Sequence, residues 1–133
     1  MQNRGELLNF FSSLGFVLET QRISESFGDY FLIMHSSHLR LRVSSEKLFE
    51  SVEISSLSDR NNWFDLGLVK SFLFQESKLS QPFLIENALV FFENYYSEIA
   101  SLFDDEGYSV TRSKLDALRN ERAKQMFPNS SLE

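Results

Sequence analysis

The chain has 133 residues, 42% of them hydrophobic, with 14 phenylalanines, no cysteine and a net charge of −6. That length and apolar content fit a single folded domain over residues 1–127 and exclude a disordered chain. The absence of cysteine excludes disulfides, a thiolate nucleophile and a cysteine-ligated zinc, and the acidic balance argues against nucleic acid as a ligand.

The opening residues Met1 to Gly5 lack the basic start and continuous apolar stretch of a signal peptide, and no apolar run approaches a membrane span. A cytoplasmic chain with no membrane partner is therefore expected. Asn3 reads as an N-cap with Glu6 three residues on, as in a capping box. Leu7, Phe10, Phe11 and Leu14 then form a helical stripe that Gly15 ends. Phe16 to Ile23 reads as a strand, as do Tyr30 to Met34, Leu39 to Val43 and Leu48 to Ile54. A turn at Ser36-Ser37 places Met34 opposite Leu39, and pairing Val43 with Leu48 places Phe49 beside Phe31, Arg40 and Arg42. With no long crossovers, the sheet should be antiparallel.

The rhythm of the chain changes at Trp63, from period two to the helical period. Asn62 reads as a helix cap, followed by a stripe of Leu66, Val69, Phe72 and Leu73 that Gly67 weakens. After a break at Gln81-Pro82, a long helix is expected from Leu84 to Phe103. A last helix is expected from Thr111 to Phe127, where Pro128 stops it, with Leu115, Leu118, Arg122 and Met126 on one side. The tail 128–133 should be loose, and Leu132-Glu133 resembles a cloning scar. Together these elements predict an α+β fold. It has an antiparallel sheet of about four strands with helices packed on one face, a short N-terminal helix and a C-terminal helical segment.

Alternation sorts the sheet into two faces. One is uniformly apolar and belongs against the helices. The other mixes Phe31, Ile33, Arg40, Arg42 and Phe49, a composition shared by protein-binding hot spots and by ordinary solvated faces on which arginine stems cover rings. Charge is also uneven along the chain. Residues 1–60 carry −2, residues 61–108 carry −6 and residues 109–133 carry +2, and there is no Lys or Arg from Leu79 to Thr111. The carboxylates Glu86, Glu93, Glu98, Asp104, Asp105 and Glu106 of that stretch suit a basic partner, unless Arg112, Lys114, Arg119 and Lys124 of the last helix neutralise them.

Chemistry is not signposted. His35 and His38 flank the hairpin turn and nearly face each other, but a metal site needs a third ligand that no recognised spacing supplies. No Gly-x-Ser-x-Gly, phosphate-cradling glycine loop or His-Glu-x-x-His occurs. No metal, no cofactor and no catalytic residue are expected. Tyr95, Tyr96, Trp63 and Phe64 read as core and core rim.

Residues 57–127 resemble small bacterial immunity proteins of toxin systems and related uncharacterised proteins. The resemblance lies in Asp59-Arg60, Trp63-Phe64-Asp65-Leu66-Gly67, Phe92 through Leu102-Phe103, and Lys114-Leu115-Asp116-Ala117-Leu118 with Arg122 and Phe127. It implies a cytosolic α+β protein that blocks a cognate toxin without chemistry of its own. The expected function is thus a protein-binding module whose partner residues are drawn from Phe31, Arg40, Arg42, Phe49, Glu93, Glu98 and Asp105. The alternative is a structural or regulatory domain that self-associates through the Phe31/Phe49 face, and an enzyme without a recognisable motif comes third.

Overall fold

The computed structural model describes residues 4–24, 29–46 and 49–127. Within them the order is α1 (Arg4–Ser13), β1 (Val17–Ile23), β2 (Tyr30–His35), β3 (Leu39–Glu46), β4 (Phe49–Ser56), β5 (Phe64–Asp65), α2 (Leu66–Phe74), α3 (Ile85–Leu102) and α4 (Tyr108–Met126). The strands form one antiparallel sheet in chain order, β1-β2-β3-β4-β5. The fold is α+β, with one strand more than the sequence predicts. Asn3, the start of the fourth strand at Leu48, and the tail lie outside the described residues.

The end of α1 explains how the chain enters the sheet. Gly15 has φ 93°, the left-handed conformation that glycine adopts without a Cβ penalty. Its N–H donates to the Ser12 carbonyl at 3.0 Å, and the Phe16 N–H donates to the Phe11 carbonyl at 3.0 Å. These are the two hydrogen bonds of a Schellman ending, and the accompanying apolar contact is Phe11 on Phe16, with ring centroids 5.6 Å apart.

Both hairpin registers differ from the sequence expectation. Met34 pairs with Leu41 rather than Leu39, and Val43 pairs with Val52 rather than Leu48. The first shift has a visible cause. The Ser36 hydroxyl accepts from the N–H groups of His38 and Leu39 and hydrogen-bonds Tyr96 of α3 at 2.9 Å, so the turn tightens one residue later. Each slip is an even number of residues, so each side chain keeps its predicted face. Leu32, Met34, Leu39, Leu41, Val43, Val52 and Ile54 are buried against Leu7, Phe11, Phe92, Ile99 and Phe103 of the helices. Phe11 makes edge-to-face contacts with Phe10, Phe16 and Phe92, which fixes α1 on α3.

The second helix starts later than expected. Phe64 and Asp65 pair with Ile54 and Glu53 as β5, and Asp65 rather than Asn62 caps α2, accepting from the Leu68 N–H at 3.3 Å. Gly67 is not simply a weak helix former. A Cβ there would lie 2.1 Å from the Gln81 carbonyl oxygen, so only glycine lets the returning loop cross the first turn of α2.

That loop is tied down by polar groups. Glu76 pairs with Lys70 and accepts from the Ser71 and Ser80 hydroxyls, and the Ser80 N–H donates to Ser71 Oγ at 2.9 Å. From α4, Gln125 accepts from the Leu79 N–H and donates to the Ser77 carbonyl. Burial alone would raise the Glu76 pKa. The hydrogen bonds from Lys70, Ser80 and Ser71, with the Lys70 charge, outweigh it and hold the carboxyl at about 2 against an ordinary 4.5. A depressed carboxylate contributes stability that is present above the unfolded value and is lost as pH falls through the folded one. The wild type should therefore lose thermal stability between pH 4.5 and about 2 more steeply than Glu76→Gln, and melting curves across that window check it. Parallel pH profiles would show that the loop does not depend on this charge.

The last helix begins at Tyr108, three residues before the expected start, and packs on α2 rather than running beside α3. No described helix is long and apolar enough to cross a membrane.

Candidate functional site

The structure sets two surfaces of different character on opposite sides of the core. The first is the sheet face away from the helices. Here β1 carries an irregularity between Leu18 and Thr20, and the residue between them, Glu19, reaches across the sheet. Glu19 accepts from Arg40 at 3.2 and 3.1 Å, from Arg60 at 3.2 Å, and lies 3.0 Å from His35 Nδ1. The Arg40 hydrogen bonds are the main reason its pKa is lowered. Arg40 also donates to the Arg60 carbonyl at 2.8 Å. Arg42 donates to Glu53 Oε1 at 3.0 and 2.6 Å. Trp63 then lies over both arginines, with ring-centroid distances of 5.1 Å to Arg40 and 4.5 Å to Arg42.

Arg40 is consequently not a partner-facing residue as expected. It is only 8% exposed, because Glu19, the Arg60 carbonyl and Trp63 enclose it. Arg42 is half-buried and already paired. Phe31 is half-buried beneath Arg22, whose guanidinium carbon is 4.8 Å from the ring centre. Only Phe49 projects freely, at 81% exposure. It overlooks a depression of ≈ 580 Å³ bounded also by Arg22, Phe31, Arg42 and Glu53. His35 and His38 do not form a pair: His35 faces Glu19 and pairs with Arg40 in the sheet, and His38 packs its ring on Tyr96 at 6.4 Å. Among the described residues no group of three His, Asp or Glu side chains is placed to hold a metal ion.

The second surface is acidic and lies on α3 and the turn after it. Glu86, Glu93, Glu98, Asp104, Asp105 and Glu106 are all exposed. The cations of α4 do not neutralise them, contrary to one expectation. Arg112 pairs with Asp59 and Asp116, Arg119 with Asp116, and Arg122 with Asp65. Among the described residues, the six acids of α3 and its turn take part in no salt bridge, whereas Glu19, Glu53, Asp59, Asp65, Glu76 and Asp116 all do. The surface also has relief. Between α1 and α3 runs a groove of ≈ 600 Å³ lined by Phe10, Leu89 and Val90 together with Glu6, Asn9, Glu86 and Glu93; among the described residues no Lys or Arg lines it. Val90 is 56% exposed.

A third cleft, at the start of α4, is internally satisfied. The Tyr108 hydroxyl donates to Asp59 at 2.6 Å, and burial, reinforced by that carboxylate, raises the tyrosine pKa. Sequence reasoning missed Glu19, Trp63 and the α1 wall of the groove. Glu19 sits at a strand irregularity, and Glu6 and Phe10 read only as parts of a capped helix. Compared with known proteins, the chain matches no family model, no curated protein and no solved structure.

Proposed function

We propose that this chain is a non-catalytic binding module that docks a basic protein in the cytoplasm, as the immunity-type resemblance of residues 57–127 implies, and that a cognate toxin is the natural candidate for that partner. The observation that supports it is the division of ion pairs. Among the described residues, Glu19, Glu53, Asp59, Asp65, Glu76 and Asp116 are matched by cations of the chain itself, and the six acids on α3 and its turn take part in no ion pair. An unmatched acidic field of this kind accelerates encounter with a cationic partner and is screened by salt over about 8–10 Å.

The test uses a partner identified from its own gene neighbourhood or by co-purification. Reversing Glu93, Glu98 and Asp105 to lysine should slow association by roughly tenfold at low salt and flatten its salt dependence, with the far-UV spectrum unchanged. Surface plasmon resonance across a salt series reads both quantities. Association that is unaffected by the triple reversal would remove the acidic surface as the docking element.

A second reading rests on Phe49. A large ring with 81% of its surface exposed, beside Phe31 and Arg42, is also a suitable contact for self-association. In that case Phe49→Ala and Arg42→Ala would convert a dimer to a monomer in sedimentation, and the acidic reversals would not.

A further inference from the structure

Deepening the reading just given, and resting on it, we propose that the α1–α3 groove is where the partner docks, and that the occupant is an amphipathic helix of the partner. That helix carries Lys or Arg at positions i and i+7 and an apolar residue at i+3 or i+4 between them. The argument is one of matching spacing. Glu86 and Glu93 are seven residues apart on α3, so they lie ~10 Å apart along its axis on nearly the same face. Leu89 and Val90 sit midway between them, and Phe10 faces them from α1. A helix laid along α3 repeats the same seven-residue interval, which brings two cations onto the two carboxylates and one apolar side chain onto Val90 and Phe10.

Glu6 borders the groove from the α1 side. The apolar strip matters as much as the charge. Seating a side chain on Val90 displaces water from beside the carboxylates, and the pairs then act in a less polar setting than ordinary surface pairs do. The stems of the partner's lysines would cover the rest of the strip. The sheet face offers no comparable match for a cationic helix, because Arg40, Arg42, Glu19 and Glu53 are already spent on one another.

The probe is an Ala-rich helical peptide with two lysines seven positions apart and leucines midway between them, titrated at low salt into the isotopically labelled full chain. Amide shifts should concentrate at Glu6, Phe10, Glu86, Val90 and Glu93. The pair Glu86→Lys with Glu93→Lys should weaken binding at least about tenfold, and the neutral change Val90→Asn alone should weaken it by about threefold or more, while Glu98→Lys with Asp105→Lys changes it less than about twofold. All these positions are exposed, so the variants should fold, and circular dichroism checks that. A peptide with glutamates in place of the lysines should not bind. Shifts centred on residues 98–106, or equal weakening by both charge-reversed pairs, would overturn the groove and leave the acidic surface as a whole in place. No titration anywhere would also overturn the groove. Of the three residues of the triple reversal, Glu93 lies in the groove and Glu98 and Asp105 lie outside it, so Glu98→Lys with Asp105→Lys, measured as association with the native partner, judges the wider reading separately.

Discussion

Phe92→Ala is expected to lower stability by about 3–5 kcal/mol, the range for deleting a buried aromatic ring with partial collapse of the space it leaves. Phe92 has no exposed surface. Its ring contacts Phe11 at 5.5 Å, Phe16 at 6.4 Å and Tyr96 at 6.3 Å, so it joins α1, the start of the sheet and the middle of α3. Each edge-to-face or tilted pair adds to simple burial, and none of the three neighbours can follow the missing ring without leaving its own contacts. A domain of this size has about 5–15 kcal/mol in total, so the variant would be marginal, with a melting temperature lower by ~10–20 °C. Phe49→Ala is the internal control. It removes the same ring from a position that is 81% exposed and should shift stability by no more than ~0.5 kcal/mol. Two variants with the same melting temperature would mean that the helix face placed against the sheet is the wrong one.

The faces of this fold were readable from the chain, and the pairings were not. Alternation alone places Leu32, Leu41 and Val43 on the core side and Phe31, Arg42 and Phe49 on the other, because side-chain direction has period two. The registers depend on information of longer range. One was moved by Ser36 binding Tyr96, a residue sixty positions away. β5 is two residues long and has no period to detect. The placement of α4 likewise turns on a distant residue. A short turn after α3 would suit an antiparallel pair of helices, yet Arg122 finds its carboxylate at Asp65, the cap of α2, and the helix follows it there.

The candidate surfaces divide in the same way. The α3 carboxylates stand out in sequence because no cation interrupts the stretch from Leu79 to Thr111. Their α1 counterparts do not, since Glu6 and Phe10 have an adequate local explanation as helix residues. Arg40 illustrates the opposite error. By alternation it belongs on the open face, and it does lie there, but Glu19 and Trp63 close over it from distant parts of the chain.

Arg122→Met should be nearly as damaging as the loss of Phe92, at about 3–5 kcal/mol, because it strands a buried carboxylate. Arg122 and Asp65 are only 12% and 10% exposed. The guanidinium donates to both Asp65 oxygens, at 2.9 and 2.6 Å, and its first nitrogen also donates to the Ser80 carbonyl at 2.9 Å. One side chain therefore ties α4 to the cap of α2 and to the loop that crosses Gly67. Arg112 supplies the comparison. It faces Asp59 at 3.4 Å but is 52% exposed, so Arg112→Met should cost no more than ~1 kcal/mol. The decisive measurement is a double-mutant cycle with Asp65→Asn. Asparagine still caps a helix and carries no charge to strand, so it should relieve part of the Arg122→Met penalty, with a coupling of ~0.5–3 kcal/mol. Penalties that simply add, or an Arg122→Met variant as stable as Arg112→Met, would mean that α4 is held by Leu115 and its apolar neighbours alone, and that the ion pair is incidental to the packing of α4 on α2.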